Sequence, residues 1–176
     1  MTPWFRPFLT YRERSLKFAH IADTHIKNLK YHYEYKIVFD KLYEILRKEK
    51  PDYIIHCGDI AHTKTQISPE FVEMCSDFLS NLAHIAPTYV ILGNHDGNLR
   101  NSSRQDALTP IVEALSHPNL HLLKKSGEMP LAANVTLNVL SVLTKKGGLN
   151  LRIRAKLISP FITDLFRESS PTLAGL

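Results

Sequence analysis

Three short apolar runs, each ending in a turn of metal-ligand side chains, constrain this chain more than any other feature. Phe18-Ala-His-Ile-Ala22 leads into Asp23-Thr24-His25, and Tyr53-Ile-Ile-His-Cys57 leads into Gly58-Asp59. Thr88-Tyr-Val-Ile-Leu92 leads into Gly93-Asn94-His95-Asp96. Short apolar runs bounded by polar turns read as buried strands. The spacing leaves room for a helix after each one.

The first helix is expected over about Glu34–Lys50, with Ile37, Val38, Leu42, Ile45 and Leu46 on its apolar face. Ser68 reads as an N-cap, with Pro69 at the first helical position and Glu70 in the first turn. Phe71, Cys75, Phe78, Leu79 and Leu82 then form the core stripe of a second helix. A third helix is expected from about Asp106 to Ser116, and further strands over Leu120–Leu123 and Val135–Val142. Strand and helix alternate, so the fold class is α/β: a mainly parallel sheet layered with helices. Sites in such sheets form at the carboxyl ends of the strands, where all three polar turns fall.

Asp23, His25, Asp59 and Asn94 offer two carboxylates, an imidazole and an amide oxygen. This mostly oxygen set suits Mn²⁺ or Fe²⁺, or zinc with some nitrogen, better than a thiolate site. Two cations roughly 3.5–4 Å apart would clamp the attacking and leaving oxygens of a phosphoester displacement. The middle strand is the natural source of a shared ligand, Asp59. His95 could donate a proton or hydrogen bond to a phosphoryl group, and Asp96 could orient its ring. An Asp-Thr-His triplet or a Gly-Asp pair alone is common in turns and caps. Gly-Asn-His-Asp after Val-Ile-Leu is different, because no turn requires that combination. Among the other histidines, His20, His56 and His84 read as structural. His62, three residues after Asp59, is equally open to a structural or a functional role on position alone.

The totals exclude some classes. No apolar run approaches the ~20 residues that span a bilayer, so no membrane association is expected. Two cysteines, Cys57 and Cys75, fall on apolar faces and read as reduced thiols, which fits a cytoplasmic setting. The formal charge of +5 is concentrated late: residues 145–176 carry six basic and two acidic side chains, and residues 1–144 carry 16 and 15. The main body is nearly neutral, so bulk charge names no partner. Residues 1–16 read as a leader without a signal-peptide pattern.

Asp23-Thr-His25, Gly58-Asp59 and Gly93-Asn-His-Asp96 resemble the first three motifs of the calcineurin-like metallophosphoesterases. Gly58-Asp-Ile-Ala-His62, followed by the Ser68-Pro69 helix start, is similar to the DNA-repair nuclease branch: SbcD-type exonucleases and phage recombination endonucleases. The resemblance covers about residues 17–142. It implies that Asp23 and His25 bind a first metal, Asp59 bridges, and Asn94 binds a second. It further implies that His95 stabilises the transition state or protonates the leaving group, and that His62 contacts substrate phosphate. Mn²⁺-dependent hydrolysis of DNA, an SbcC-like ABC-type ATPase partner and a bacterial or phage-infected host cell follow from the same resemblance. A homodimer is compatible with it. The alternatives are a phosphatase or small-phosphodiester hydrolase, and an inactive binding module.

The family's later motifs supply three more histidines and a capping region, yet this chain has no histidine after His121. The domain is therefore expected to be incomplete at its C-terminal side, with residues 143–176 an irregular basic tail. One reading of this tail is a natural basic segment that binds nucleic acid or a partner; the other is a shift of reading frame, which would explain both features. With permitted codons, Phe161–Phe166 read from the third base encodes Tyr-His-Gly-Ser-Ile, the form expected of the missing fourth motif.

Overall fold

The structure, a computed structural model, describes residues 16–99, 101, 104–132 and 135–143. The leader up to residue 15 and the tail from residue 144 lie outside the described residues.

Four strands form one parallel sheet: β1 (Phe18–Ile21), β2 (Tyr53–His56), β3 (Thr88–Ile91) and β4 (Leu120–Leu123). Their spatial order, β1-β2-β3-β4, is their order in the chain. The crossovers are α1 (His32–Glu49), α2 (Pro69–Ile85) and α3 (Thr109–Leu115). Crossovers of the usual right hand between successive neighbours place every helix on the same face. Accordingly α1 packs on α2, and α2 on α3. The fold is the layered α/β arrangement expected from the alternation of elements.

On the helix face, Ile21, Ile54, His56, Val90 and Leu120 are buried beneath the helices. Each strand's alternate residues point the other way. There Phe18, Tyr53, Tyr89 and His121 form a row across all four strands, with neighbouring ring centroids 5.6, 6.2 and 4.8 Å apart.

The second helix forms as its cap predicts. Ser68 Oγ accepts from the Phe71 amide at 3.2 Å, and Pro69 occupies the first turn. Phe71, Cys75, Phe78, Leu79 and Leu82 are all fully buried. The face of α1 differs from expectation. Phe39, Tyr43 and Leu46 are buried, whereas Ile37 and Ile45 stand exposed. The aromatic rings set the rotation of this helix: Phe39 stacks on Phe78 at 4.3 Å, burying more apolar surface than the isoleucines would. Helix α3 starts three residues later than expected. Asp106 accepts from the amides of Leu108 and Thr109 and from the Thr109 hydroxyl, forming the turn that precedes the helix.

One strand was not foreseen. β5 (Gly127–Ala132) pairs antiparallel with β6 (Val135–Val139), apart from the four-stranded sheet. The Tyr53 hydroxyl donates to the Leu131 carbonyl at 2.6 Å, tying this pair to the aromatic face.

Candidate metal centre

Beyond the ends of β1 and β2 the two chains stay paired. The Asp23 amide donates to the Gly58 carbonyl at 3.1 Å, His25 to Asp59 at 2.9 Å and Ile26 to Ile60 at 2.7 Å. Ile26 and Ile60 are buried anchors for the two loops. This zipper brings Asp23, His25 and Asp59 together, with one ligand atom from each within 4.8 Å of the others. All three adopt left-handed backbone conformations, with φ of 57°, 45° and 55°. Asp and His tolerate that region better than most residues, yet three such positions in one cluster store strain of the kind found at functional sites.

The third loop supplies the floor. Asp96 is completely buried, and its carboxylate accepts from the amides of Asp59, Ala61 and Gly93 at 2.8, 2.8 and 2.9 Å. Burial raises this carboxyl above its ordinary range, the three amides oppose that shift, and the charge of Asp59 adds to it. The expectation that Asp96 orients His95 is corrected by these contacts. Its oxygens are occupied by backbone amides, and the His95 ring is held instead by Nδ1 donating to the His62 carbonyl at 2.8 Å. The His95 amide donates to Asp59 Oδ1 at 2.8 Å, fixing the carboxylate from the third loop.

His25, His62 and His95 form a triangle of rings. Centroids are 4.8 Å apart for His25–His95, 5.9 Å for His25–His62 and 6.3 Å for His62–His95. Partial loss of hydration, Lys27 and the two neighbouring imidazoles all hold His62 below its ordinary pKa. Asn94 is exposed beside His95. Lys64, which the sequence did not single out, donates to the carbonyls of Asn94 and Gly97 at 3.1 Å each and braces the third loop. No sequence pattern marks a lysine for that task. Cys57 and His20 pair at 3.0 Å beneath the first loop, and both cysteines are free thiols.

A divalent cation fits these residues. His25 Nδ1 is buried without a hydrogen-bond partner, and a buried polar atom of that kind calls for a ligand from outside the chain. Asp23 and Asp59 also place two carboxylates in one cluster, a repulsion that a cation relieves. Asp23, His25 and Asp59 are thus a possible metal-binding group.

A parallel sheet that gathers carboxylate and imidazole side chains at its carboxyl edge is the layout of an α/β domain with a possible metal site. The chain belongs to the calcineurin-like phosphoesterase family, whose profile matches residues 16–171. That span runs past Val142, beyond the limit expected from the motifs. Over 112 residues the chain is 48% identical to "Uncharacterized protein R555" of Acanthamoeba polyphaga mimivirus, covering 61% of this chain and 8% of that protein. Over 85 residues it is 27% identical to "Putative phosphoesterase 078R" of Invertebrate iridescent virus 3, covering 48% and 24% respectively. The chain therefore spans less than a quarter of the length of either viral relative. The crystal structure of Pseudomonas putida nuclease MPE matches with a TM-score of 0.40 at 22% identity, over 59% of this chain and 46% of that one. Among the described residues, no helix is long and apolar enough to cross a membrane.

Proposed function

We propose that this chain carries an N-terminal, metal-binding part of a DNA phosphodiesterase, an exo- or endonuclease subunit working with two divalent cations, Mn²⁺ foremost. The observation that carries the reading is the convergence of Asp23, His25 and Asp59 within 4.8 Å, with the His95 ring 4.8 Å from that of His25.

Asp23, His25 and Asp59 would hold one cation, and Asp59 with Asn94 a second. Bound there, the cations supply Lewis-acid polarisation of a phosphoryl oxygen and an acidified water. The protein's own part is positional. The His95 amide and the Asp96-organised loop hold the Asp59 carboxylate in one orientation. With Nδ1–H given to the His62 carbonyl, His95 in its imidazolium form would pass the Nε2 proton to a leaving oxygen and be left as the neutral Nδ1–H tautomer. His62, which is exposed, would meet a substrate phosphate.

Cations held by Asp23, His25, Asp59 and Asn94 alone would be bound weakly, and turnover by these residues alone would be low.

Calorimetric titration with Mn²⁺ tests the site, and Asp59→Ala is expected to abolish the binding. Undiminished binding in that variant would sink the assignment. Comparing linear DNA with a small chromogenic phosphodiester in the presence of Mn²⁺ separates a nuclease from a small-substrate phosphoesterase.

A further inference from the structure

A groove of about 550 Å³ lies between the loop that follows Ile26 and the loop that follows Ala61, lined in part by Lys27, Leu29, Lys30, His62 and Gln66. Its volume falls in the ~300–1,000 Å³ range of ligand sites. Its walls are tied together. Asn28 Nδ2 donates to the Gln66 carbonyl, and Ser68 Oγ donates to the Asn28 carbonyl at 2.9 Å. His62 belongs both to this groove and to the triangle of imidazoles, so the groove opens onto the metal centre at that ring.

Two chemistries alternate along its rim. Lys27 and Lys30 contribute positive charge, and among the described residues no acidic side chain lines the groove. Leu29 and Ile67 in the lining are 75% and 41% exposed, and Tyr31, which adjoins the lining at Lys27, is 55% exposed. Lys27 Nζ sits 4.8 Å over the Tyr31 ring, so cation and aromatic face form one unit. Exposed apolar faces interleaved with lysines suit a ligand that offers phosphates and unstacked bases together. A duplex offers its phosphates but hides its base faces, and would leave Leu29 and Tyr31 without a purpose.

We infer that this groove binds an unpaired nucleic-acid strand, with phosphates against Lys27 and Lys30 and a base against Leu29 and Tyr31, and feeds it past His62 to the metal centre. The inference rests on the phosphodiesterase reading for the direction of feeding, but not for the binding itself.

The test is fluorescence anisotropy on the full chain in EDTA, without metal. The probes are labelled oligodeoxythymidine of about 12 nucleotides, a duplex of equal length and oligouridine of equal length. The unpaired strand is expected to bind about tenfold tighter than the duplex. Tyr31→Asn, which keeps a residue tolerant of the left-handed conformation there (φ 64°), and Lys30→Ala should each weaken it about fivefold. Leu29→Ser, in the same exposed loop, gives an independent reading should Tyr31→Asn fail to fold. Lys48→Ala, near the far end of α1, removes the same charge and should change affinity less than about twofold. Tighter binding of the deoxy strand identifies DNA as the natural source and tighter binding of oligouridine identifies RNA; either result supports the groove. Equal affinity for strand and duplex, or equal loss in Lys48→Ala and Lys30→Ala, overturns it. Calorimetric titration of Mn²⁺ in EDTA-free buffer separates the two readings. Strand binding without Mn²⁺ binding keeps the groove and removes the phosphodiesterase, while Mn²⁺ binding without strand preference does the reverse.

Discussion

A Cβ placed on Gly93 would lie 2.1 Å from Asp59 Oδ1, so the backbone of the third loop packs directly against the Asp59 carboxylate. Gly58 makes the same approach from the other side, with φ of 93° and a virtual Cβ 2.5 Å from the Gly93 nitrogen. Gly93→Ala is therefore expected to swing the Asp59 carboxylate out of place. Overpacking of this kind costs about 1–3 kcal/mol of stability, and the displaced ligand should lower Mn²⁺ affinity by roughly 10–100-fold. Paired thermal melts and metal titrations check both effects. An unchanged affinity would show that Asp59 is not a ligand.

Asp96 and His95 adjoin in sequence but carry different burdens. Asp96→Asn replaces one of the oxygens facing three amides with an NH₂ group, leaving at least one buried donor unsatisfied. The expected loss is about 2–4 kcal/mol in chemical denaturation. His95→Gln should leave stability within about 1 kcal/mol, because the ring is only half-buried, while lowering Mn²⁺-dependent phosphodiester turnover. The reverse pattern would return Asp96 to the chemistry.

His56 makes stability depend on pH. Its Nδ1 accepts from the Gly58 amide at 3.3 Å and its Nε2 faces the Thr24 hydroxyl at 3.4 Å, a neutral arrangement. Burial, and then the neighbouring His20, push this imidazole down from 6.5 to about 3. The unfolded chain gains a proton below pH 6.5, whereas the folded one does so only near 3. Stability from this residue is thus complete above 6.5 and falls through that window by up to about 1.4 kcal/mol per pH unit. His56→Asn keeps an acceptor for Gly58 and should flatten the slope of Tm between pH 6.5 and 4. A parallel slope in both proteins would assign the acid sensitivity elsewhere.

Asp106 offers a prediction remote from metal binding. Its carboxylate accepts from two amides and one hydroxyl, and pairs with Lys124 at 3.0 Å. Asp106→Ala should cost about 2–3 kcal/mol with little change in Mn²⁺ affinity. A large fall in affinity would couple this turn to the site.

The turns that bring Asp23, His25 and Asp59 together were legible because a parallel sheet leaves few places for Asp and His directly after apolar strands. Ser68-Pro69 was legible because a cap acts locally. The face of α1 was not, since Ile37 and Phe39 are both apolar and only the stacking of Phe39 on Phe78 decides between them. β5 was hidden by Pro130, which weakens any strand pattern and is accommodated here by a register shift beside it. Asp96 was misread because sequence adjacency to His95 suggested a side-chain pair. Its partners are backbone amides that only the folded loops bring within reach.

Because strand order in space repeats strand order in the chain, the sheet can be laid down one strand at a time during synthesis, each arrival docking beside its immediate predecessor. Asp23, His25 and Asp59 need only the first two strands and their loops. The ligand cluster can therefore close before β3 exists, and the Gly93–Asp96 loop then arrives as a latch on a site already assembled.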